Sequence, residues 1–228
     1  MGSYLITGAT RGIGRQVVAA LQGEELYLLG RDVDSLRTVC EQTPGSRPIV
    51  ADLSQPENLA GVLSAARLPS RLDGVIHVAG NSVDARICDS TFQSWRQQLD
   101  INVVAVAEIT RLLLAALRSA RGTVVLVNSG AGKAVRAPGR ALYAASKHAL
   151  VAFADGLRIE EPSLRVVSVF PGRVATNMQR SLRAFEGQPY VAADYLDPAT
   201  VAGVIVAALR IPSDGAMNEV TIVPRTRT

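Results

Sequence analysis

Thr7-Gly8-Ala9-Thr10-Arg11-Gly12-Ile13-Gly14 follows a short apolar run at the start of the chain and leads straight into a helical stretch. The pattern is Gly-x-x-x-Gly-x-Gly. Glycine at these positions permits a tight turn and lets backbone approach a pyrophosphate, while the helix N-terminus adds unpaired N–H donors and a favourable dipole. Three glycines at this spacing arise by chance with a likelihood of about 0.1, so the turn acquires meaning only from what surrounds it.

What surrounds it is a regular alternation. Runs rich in Val, Ile and Leu occur at 4–7, 26–29, 48–51, 74–79, 123–128, 165–170 and 219–223. Most are continuously apolar, as strands covered on both faces are, and the stretches between them are long enough for crossover helices. Start signals place helices at Gly12, after Asp32, after Ser54-Gln55-Pro56 with Ser54 as cap, at 92–119, at 142–161, and after Asp197-Pro198, the last ending before Pro212. The fold class read from this pattern is α/β, a Rossmann-like doubly wound, seven-stranded parallel sheet with helices on both faces. Residues 170–196 read as a strand exit and an irregular or weakly helical segment, with 177–196 as a substrate lid.

Composition agrees. At 228 residues, 48% hydrophobic and 19% charged, the chain is globular and fits one domain over 1–228. The net charge of +4 comes from arginine, since Lys133 and Lys147 are the only lysines among 24 basic residues. The arginines are scattered from Arg11 to Arg227 without a basic run, which argues for a solvated surface and against nucleic-acid binding. Cys40 and Cys88 have neither disulfide-framework nor metal-ligand spacing. The first residues lack the basic region of a signal peptide, and the longest apolar stretch, 103–117, is broken by Glu108 and Arg111 and too short for a bilayer. The expectation is a cytoplasmic protein with no membrane and no nucleic-acid partner.

Strand two ends in Leu28-Leu29-Gly30-Arg31, where NAD-preferring proteins of this architecture place an acid for the ribose 2′-hydroxyl. A guanidinium there, helped by Arg11, suits a 2′-phosphate, which favours NADP(H) over NAD(H). The neighbouring Asp32 is either a ribose contact or a surface residue. Asp52, followed by Leu53, is either an acceptor for the adenine amine or a helix cap.

Tyr143-Ala144-Ala145-Ser146-Lys147 puts Tyr and Lys on one helical face. With so few lysines, such a pair is expected by accident about 0.04 times in this chain. A phenol of ordinary pKa about 10 is a poor base at neutral pH, but a nearby ammonium and a nicotinium cation stabilise the phenolate. Tyr143 can then give a proton to a carbonyl or take one from an alcohol.

With these residues in hand, the chain resembles the short-chain dehydrogenase/reductase family in its classical, compact form. The likeness spans essentially the whole chain and rests on the glycine turn, Asn102, Ser129, Tyr143 with Lys147, and Pro171-Gly172 in the family's order. It implies that Ser129 hydrogen-bonds the substrate oxygen, that Asn102 holds a water in a proton relay, and that Lys147 lowers the Tyr143 pKa and grips the nicotinamide ribose. It further implies cofactor contacts from Gly8, Thr10, Arg11, Gly12, Ile13, Gly14, Arg31, Asp52, Leu53, Ala79, Gly80, Asn102, Tyr143, Lys147, Pro171, Gly172, Val174 and Thr176. One departure is His77-Val78-Ala79-Gly80 where the family has Asn-Asn-Ala-Gly; Val78 cannot make the usual cross-sheet hydrogen bonds. His77 and His148 read as structural.

The activity implied is NADP(H)-dependent hydride transfer on a small-molecule carbonyl or secondary alcohol. The alternative is a non-catalytic NADP(H)-binding sensor or scaffold. Met178, Leu182, Phe185, Tyr190 and Tyr195 beside Arg173, Arg180 and Arg183 give the lid an apolar lining with an arginine rim, which suits either a hydrophobic or an anionic substrate. Small residues on the two long helices, among them Ala115, Ala116, Ala145, Ala149, Ala152 and Ala154, are where the family pairs its subunits, implying a homodimer or homotetramer.

Overall fold

Seven parallel strands form one sheet in the computed structural model: β1 (Ser3–Thr7), β2 (Glu25–Gly30), β3 (Ser46–Val50), β4 (Gly74–His77), β5 (Thr123–Val127), β6 (Arg165–Pro171) and β7 (Glu219–Ile222). Their order is β3-β2-β1-β4-β5-β6-β7, and every pairing is parallel. The structure describes residues 1–225; the last three positions of the expected domain, with Arg227, lie outside the described residues.

The strands sort their side chains with period two. Leu5, Tyr27 and Leu29 enter one core with α3 (Leu59–Ala65), α5 (Ala105–Ala120) and α6 (Ala141–Glu160). Ile6, Leu26 and Leu28 enter the other with α1 (Gly12–Ala20), α2 (Val33–Glu41) and α8 (Pro198–Leu209). Burial on both faces explains why these strands read as continuous apolar runs instead of alternating ones. The exceptions are the two edge strands: β3 tolerates Pro48 and leaves Val50 exposed, and β7 alternates exposed with half-buried residues.

The chain runs outward through β2 and β3, then crosses back to place β4 on the opposite side of β1. The order therefore reverses between β1 and β4, and the carboxyl ends of these strands flank the crevice where such sheets bind ligands.

Three expectations need correction. The helix expected over 92–119 is α4 (Phe92–Leu99) and α5, joined by a π-helical turn, Asp100–Val104, that carries Asn102. The lid segment holds a true helix, α7 (Asn177–Phe185), capped by Thr176 and amphipathic enough to bury Gln179 and Leu182. Ser54 does not cap a helix: its hydroxyl donates to Asp52, and Pro56 opens a 3-10 turn, Pro56–Asn58, before α3. Asp197 does cap α8, accepting from the Ala199 N–H at 2.7 Å with Pro198 in the first turn. No helix among the described residues is long and apolar enough to cross a membrane.

Candidate active site

The turn after β1 is built so that only glycine fits. Gly8 has φ +69°, and a Cβ there would sit 2.9 Å from the Ala79 backbone; a Cβ on Gly14 would lie 2.1 Å from the Gly8 carbonyl oxygen. Helix α1 thus starts hard against the strand, with Arg11 in extended backbone at its N-cap. No side chain caps this end and no acidic residue occupies the first turn, so its N–H donors are free for an anion. Ile13 packs into the core on the α1 side, and the Thr10 methyl lies next to Gly30. Gly12 meets Thr176, whose Cγ2 lies 3.3 Å from where a Cβ would stand, so the segment after β6 crosses the glycine turn.

Beside it, at the ends of β2 and β3, lies a cleft of about 500 Å³ lined by Arg31, Asp32, Val50, Ala51, Asp52, Gln55, Asn58, Leu59 and Val62. Asp32 is the N-cap of α2, accepting from the Ser35 N–H at 2.7 Å. Asp52 accepts from the N–H and hydroxyl of Ser54 at 2.9 and 2.8 Å, and the first of these bonds does most to hold its carboxyl below the ordinary value. Arg31 is exposed and makes no ion pair among the described residues. Leu53 turns away and packs against the core on the α3 side. An uncapped helix end, a glycine cradle and a cleft with a free arginine together fit a dinucleotide carrying phosphates.

The reacting end lies across the crevice. Ser129 caps the turn Gly130–Gly132 after β5, its hydroxyl accepting from the Ala131 N–H at 3.2 Å. The Ser129 side chain also acts on Tyr143 of α6, favouring the ionised phenol. Burial pushes the Tyr143 phenol above its ordinary 10.0; Ser129 and then the Arg140 charge pull it back, and Asp84 raises it. Lys147 lies with its Nζ 5.8 Å from the Tyr143 ring centroid, donates to the Val127 carbonyl at 2.9 Å, and is brought down to about 8 by burial.

Asn102 is fully engaged. Its Nδ2 donates to the Asn81 carbonyl and the Ser146 hydroxyl, both at 3.0 Å, and its Oδ1 accepts from the Asn81 N–H at 2.9 Å. The side chain clamps the loop after β4 to α6, within reach of Gly80 and Lys147. Ala79 is tied to β1 through its N–H to the Thr7 hydroxyl at 3.1 Å, while Val78 packs into the core on the α1 side where the family has an asparagine. His77 is buried with Nε2 3.0 Å from the Thr110 hydroxyl, and His148 Nδ1 bonds the Ala144 carbonyl, so both histidines are structural.

Pro171 ends β6, and just beyond it the Gly172 N–H donates to the Ile222 carbonyl at 2.7 Å. Val174 is buried and bridges to Leu196, closing the base of the lid. Above it, Arg173 and Arg183 both pair with Glu186, and Arg180 lies over Tyr190, which stacks on Tyr195.

Several residues that matter here were not singled out from sequence. Gln98 is completely buried, accepts from the Val83 N–H and donates to the Asn81 carbonyl. Asn128 accepts from the Ser129 N–H at 2.8 Å and donates to the Lys147 carbonyl, joining the Ser129 turn to α6. Gln98 and Asn102 stand four apart in a helical stretch, a spacing that marks one face and was the available signal.

Comparison with known proteins matches this arrangement. The family described as short chain dehydrogenase matches residues 3–187. The chain is 31% identical to dehydrogenase/reductase SDR family member 7B of Bos taurus, over 90% of this chain and 69% of that protein. It is 32% identical to glycine betaine reductase of Emericella nidulans over 97% of this chain, which spans only 18% of that protein's length. Among solved structures, an alcohol dehydrogenase from Thermococcus sibiricus complexed with 5-hydroxy-NADP superimposes with a TM-score of 0.87 at 22% identity, covering 100% of both chains. A 3-oxoacyl-[acyl-carrier protein] reductase from Brucella melitensis with bound NAD has a TM-score of 0.83 at 27% identity, covering 97% of this chain and 89% of the other. A glycine cradle at the sheet's crevice and a Ser-Tyr-Lys set opposite it are thus found in a chain that belongs to the short-chain dehydrogenase/reductase family of oxidoreductases.

Proposed function

We propose that this protein is an NADP(H)-dependent oxidoreductase that transfers hydride between the nicotinamide and a carbonyl or secondary alcohol of a small molecule. The observation that carries this reading is the meeting of Ser129, Tyr143 and Lys147 on one wall of the crevice, opposite the uncapped N-terminus of α1. The nicotinamide, when bound, supplies or accepts the hydride.

The chain's own residues do the rest. The N–H groups of α1 hold the pyrophosphate, and Arg31 with Arg11 holds a 2′-phosphate at the cleft. Ser129 orients the substrate oxygen by a hydrogen bond, and Tyr143 exchanges its proton with that oxygen. Lys147 holds the ribose hydroxyls. The Asn102 side chain spends both amide hydrogens in clamping the loop, so any relay through this residue runs from its backbone or from the second lone pair of Oδ1.

The lid favours an apolar carbonyl. Arg173 and Arg183 share Glu186 and Arg180 is stacked on Tyr190, so none of the three stands unengaged toward the crevice. On α5 and α6, Ala115, Ala145 and Ala152 are exposed and suit a subunit-pairing face, whereas Ala154 belongs to the core. Light scattering in the micromolar range should therefore find a dimer or tetramer of the 24.1 kDa chain.

The test is oxidation of NADPH and of NADH against aldehydes, ketones, diketones and oxo acids, run beside Tyr143→Phe. Turnover with NADPH that the variant loses supports the reading. NADPH binding without turnover across the panel overturns it in favour of a sensor.

A further inference from the structure

Arg140 opens α6 three residues before Tyr143, and its guanidinium carbon lies 4.5 Å from the centre of the Tyr143 ring. The arginine is held from below. Its Nη1 donates to the Ser82 hydroxyl at 2.9 Å and pairs with the Asp84 carboxylate, and Ser82 in turn donates to Asp84 at 2.8 Å. Both charged side chains are largely buried, at 14% and 9% exposure. A backbone bond from the Ala85 N–H to the Gly139 carbonyl at 3.1 Å closes the same seam, so the loop after β4 and the start of α6 form one unit.

We infer that Arg140 is a positioning residue for Tyr143: clamped by Asp84 and Ser82 across the ring face, it fixes the phenol and supplies the positive charge that favours its ionised form. The inference rests on the hydride-transfer reading above for its meaning, but not for its test. A partly buried ion pair is a weak source of stability, since apolar side chains of similar volume often serve as well, so the cost of desolvating this one calls for another role. A cation over an aromatic face is attracted to the neutral ring, and more strongly to a ring that carries negative charge.

The groups that face the Tyr143 phenol come from three elements. Ser129, in the turn after β5, favours its ionised form; Arg140 and Lys147 approach from α6; Asp84 acts from the loop after β4. Of the two cations, Arg140 is nearer the ring, and Lys147 is both more distant and committed to the Val127 carbonyl. Arg140 lowers the pKa of the phenol and Asp84 opposes it, so removing the arginine both deletes the favourable charge and leaves the carboxylate uncompensated.

The test reads Tyr143 directly. The ultraviolet absorbance of phenolate is titrated in the parent and in Tyr143→Phe, and the difference isolates Tyr143 from the other four tyrosines; the same difference is taken in Arg140→Leu, Arg140→Gln and Arg140→Lys backgrounds, with circular dichroism reporting the fold. Arg140→Leu should move the Tyr143 ionisation upward by about one pH unit or more. Arg140→Gln, which can still reach Ser82 and Asp84, should do the same and replaces the leucine variant if that one does not fold, while Arg140→Lys should restore most of the parent value. In the alcohol-oxidation direction the alkaline rise in rate should move by the same interval, about tenfold slower at a fixed pH below it. An unchanged Tyr143 titration in a folded Arg140→Leu or Arg140→Gln protein overturns the inference. Absence of turnover in the parent instead counts against the proposed function, and leaves the titration to decide Arg140 alone.

Discussion

Asn102 Nδ2 donates to Ser146 Oγ at 3.0 Å, which locks the π-helical turn to the residue just before Lys147. Ser146 passes the constraint on by donating to the Tyr143 carbonyl at 2.8 Å, so the backbone around the Tyr-Lys pair is gripped from a different helix. Single-turn π-bulges concentrate at functional sites because the extra residue re-aims a side chain, and here the side chain aimed is Asn102.

Ser146→Ala should therefore cost about 1–2 kcal/mol, because the Asn102 amide loses a buried partner. Asn102→Ala should cost more, about 2–4 kcal/mol, since the Asn81 N–H loses its side-chain partner, the Asn81 carbonyl keeps only its Gln98 bond, and Ser146 loses a donor. Urea unfolding of both single variants and the double variant checks this. The double should be less destabilised than the sum of the singles, as residues sharing a network couple; strict additivity would mean that the clamp does not exist.

Much of this site was legible because its chemistry requires fixed spacings. Tyr143 and Lys147 stood out through the scarcity of lysine, and the glycine turn through its place between a strand and a helix. The strands were legible because burial on both faces leaves runs such as 124–127 wholly apolar. The π-helical turn was not, because the apolar period continues through it and one extra residue leaves no compositional mark. Arg140 and Asp84 are 56 residues apart, and no local pattern joins two charges that meet only when a loop folds onto a helix. The extent of α7 was hidden by its polar composition, since a helix with one narrow apolar stripe reads as irregular or weakly helical.

Lys147 makes a prediction about stability with an explicit sign. Burial holds it at about 8 in the folded protein against an ordinary 10.5. The unfolded chain binds more protons between these values, so the stability contribution of this group rises with pH from about 8 to 10.5, and below 8 the charged form is carried at a penalty on the order of 3 kcal/mol. Lys147→Met removes that penalty and loses one hydrogen bond to Val127. Its thermal midpoint at pH 7, measured without nicotinamide, should lie at or above the parent's, while turnover falls at least about 100-fold. A clear drop in midpoint would show that the lysine is structural.

His77 predicts acid sensitivity. It is fully buried, burial alone brings it from 6.5 to about 3, and its Nδ1 has no partner among the described residues. The unfolded chain takes up a proton between these values and the folded one does not. Stability is therefore complete above about 6.5 and falls as pH drops below it, by about 1.4 kcal/mol per pH unit. The window from pH 6.5 to 5 isolates this effect from the carboxylates, which protonate lower. Denaturant unfolding across that window should show the slope in the parent and its loss in His77→Asn; a slope that persists in the variant assigns the sensitivity elsewhere.

Gly14→Ala tests the cradle. The added Cβ would meet the Gly8 carbonyl oxygen at 2.1 Å, and that oxygen belongs to backbone held between β1 and Ala79, so neither side can yield cheaply. Overpacking of this kind costs about 1–3 kcal/mol and displaces the α1 N-terminus from the strand. Affinity for NADPH, followed by quenching of the Trp95 fluorescence or by calorimetry, should fall at least about tenfold while circular dichroism remains close to the parent's. Unchanged affinity would mean that the pyrophosphate is held somewhere other than this turn.

Arg31 decides the choice of cofactor under the proposed function. It lines the cleft beside Asp32, which caps α2, and Asp52, which is tied to Ser54, each through one carboxylate oxygen. A guanidinium in this position gains from a 2′-phosphate and nothing comparable from a hydroxyl. Arg31→Ala should raise the KM for NADPH about tenfold or more, consistent with loss of a charge-assisted bond worth about 1.5–3 kcal/mol, and leave the KM for NADH within about twofold. Arg11→Ala should act in the same direction but less, because that arginine stands at the rim of the glycine turn and reaches the phosphate from one side only. Equal losses with both nucleotides would place Arg31 on the shared adenosine portion and remove the basis for an NADP preference.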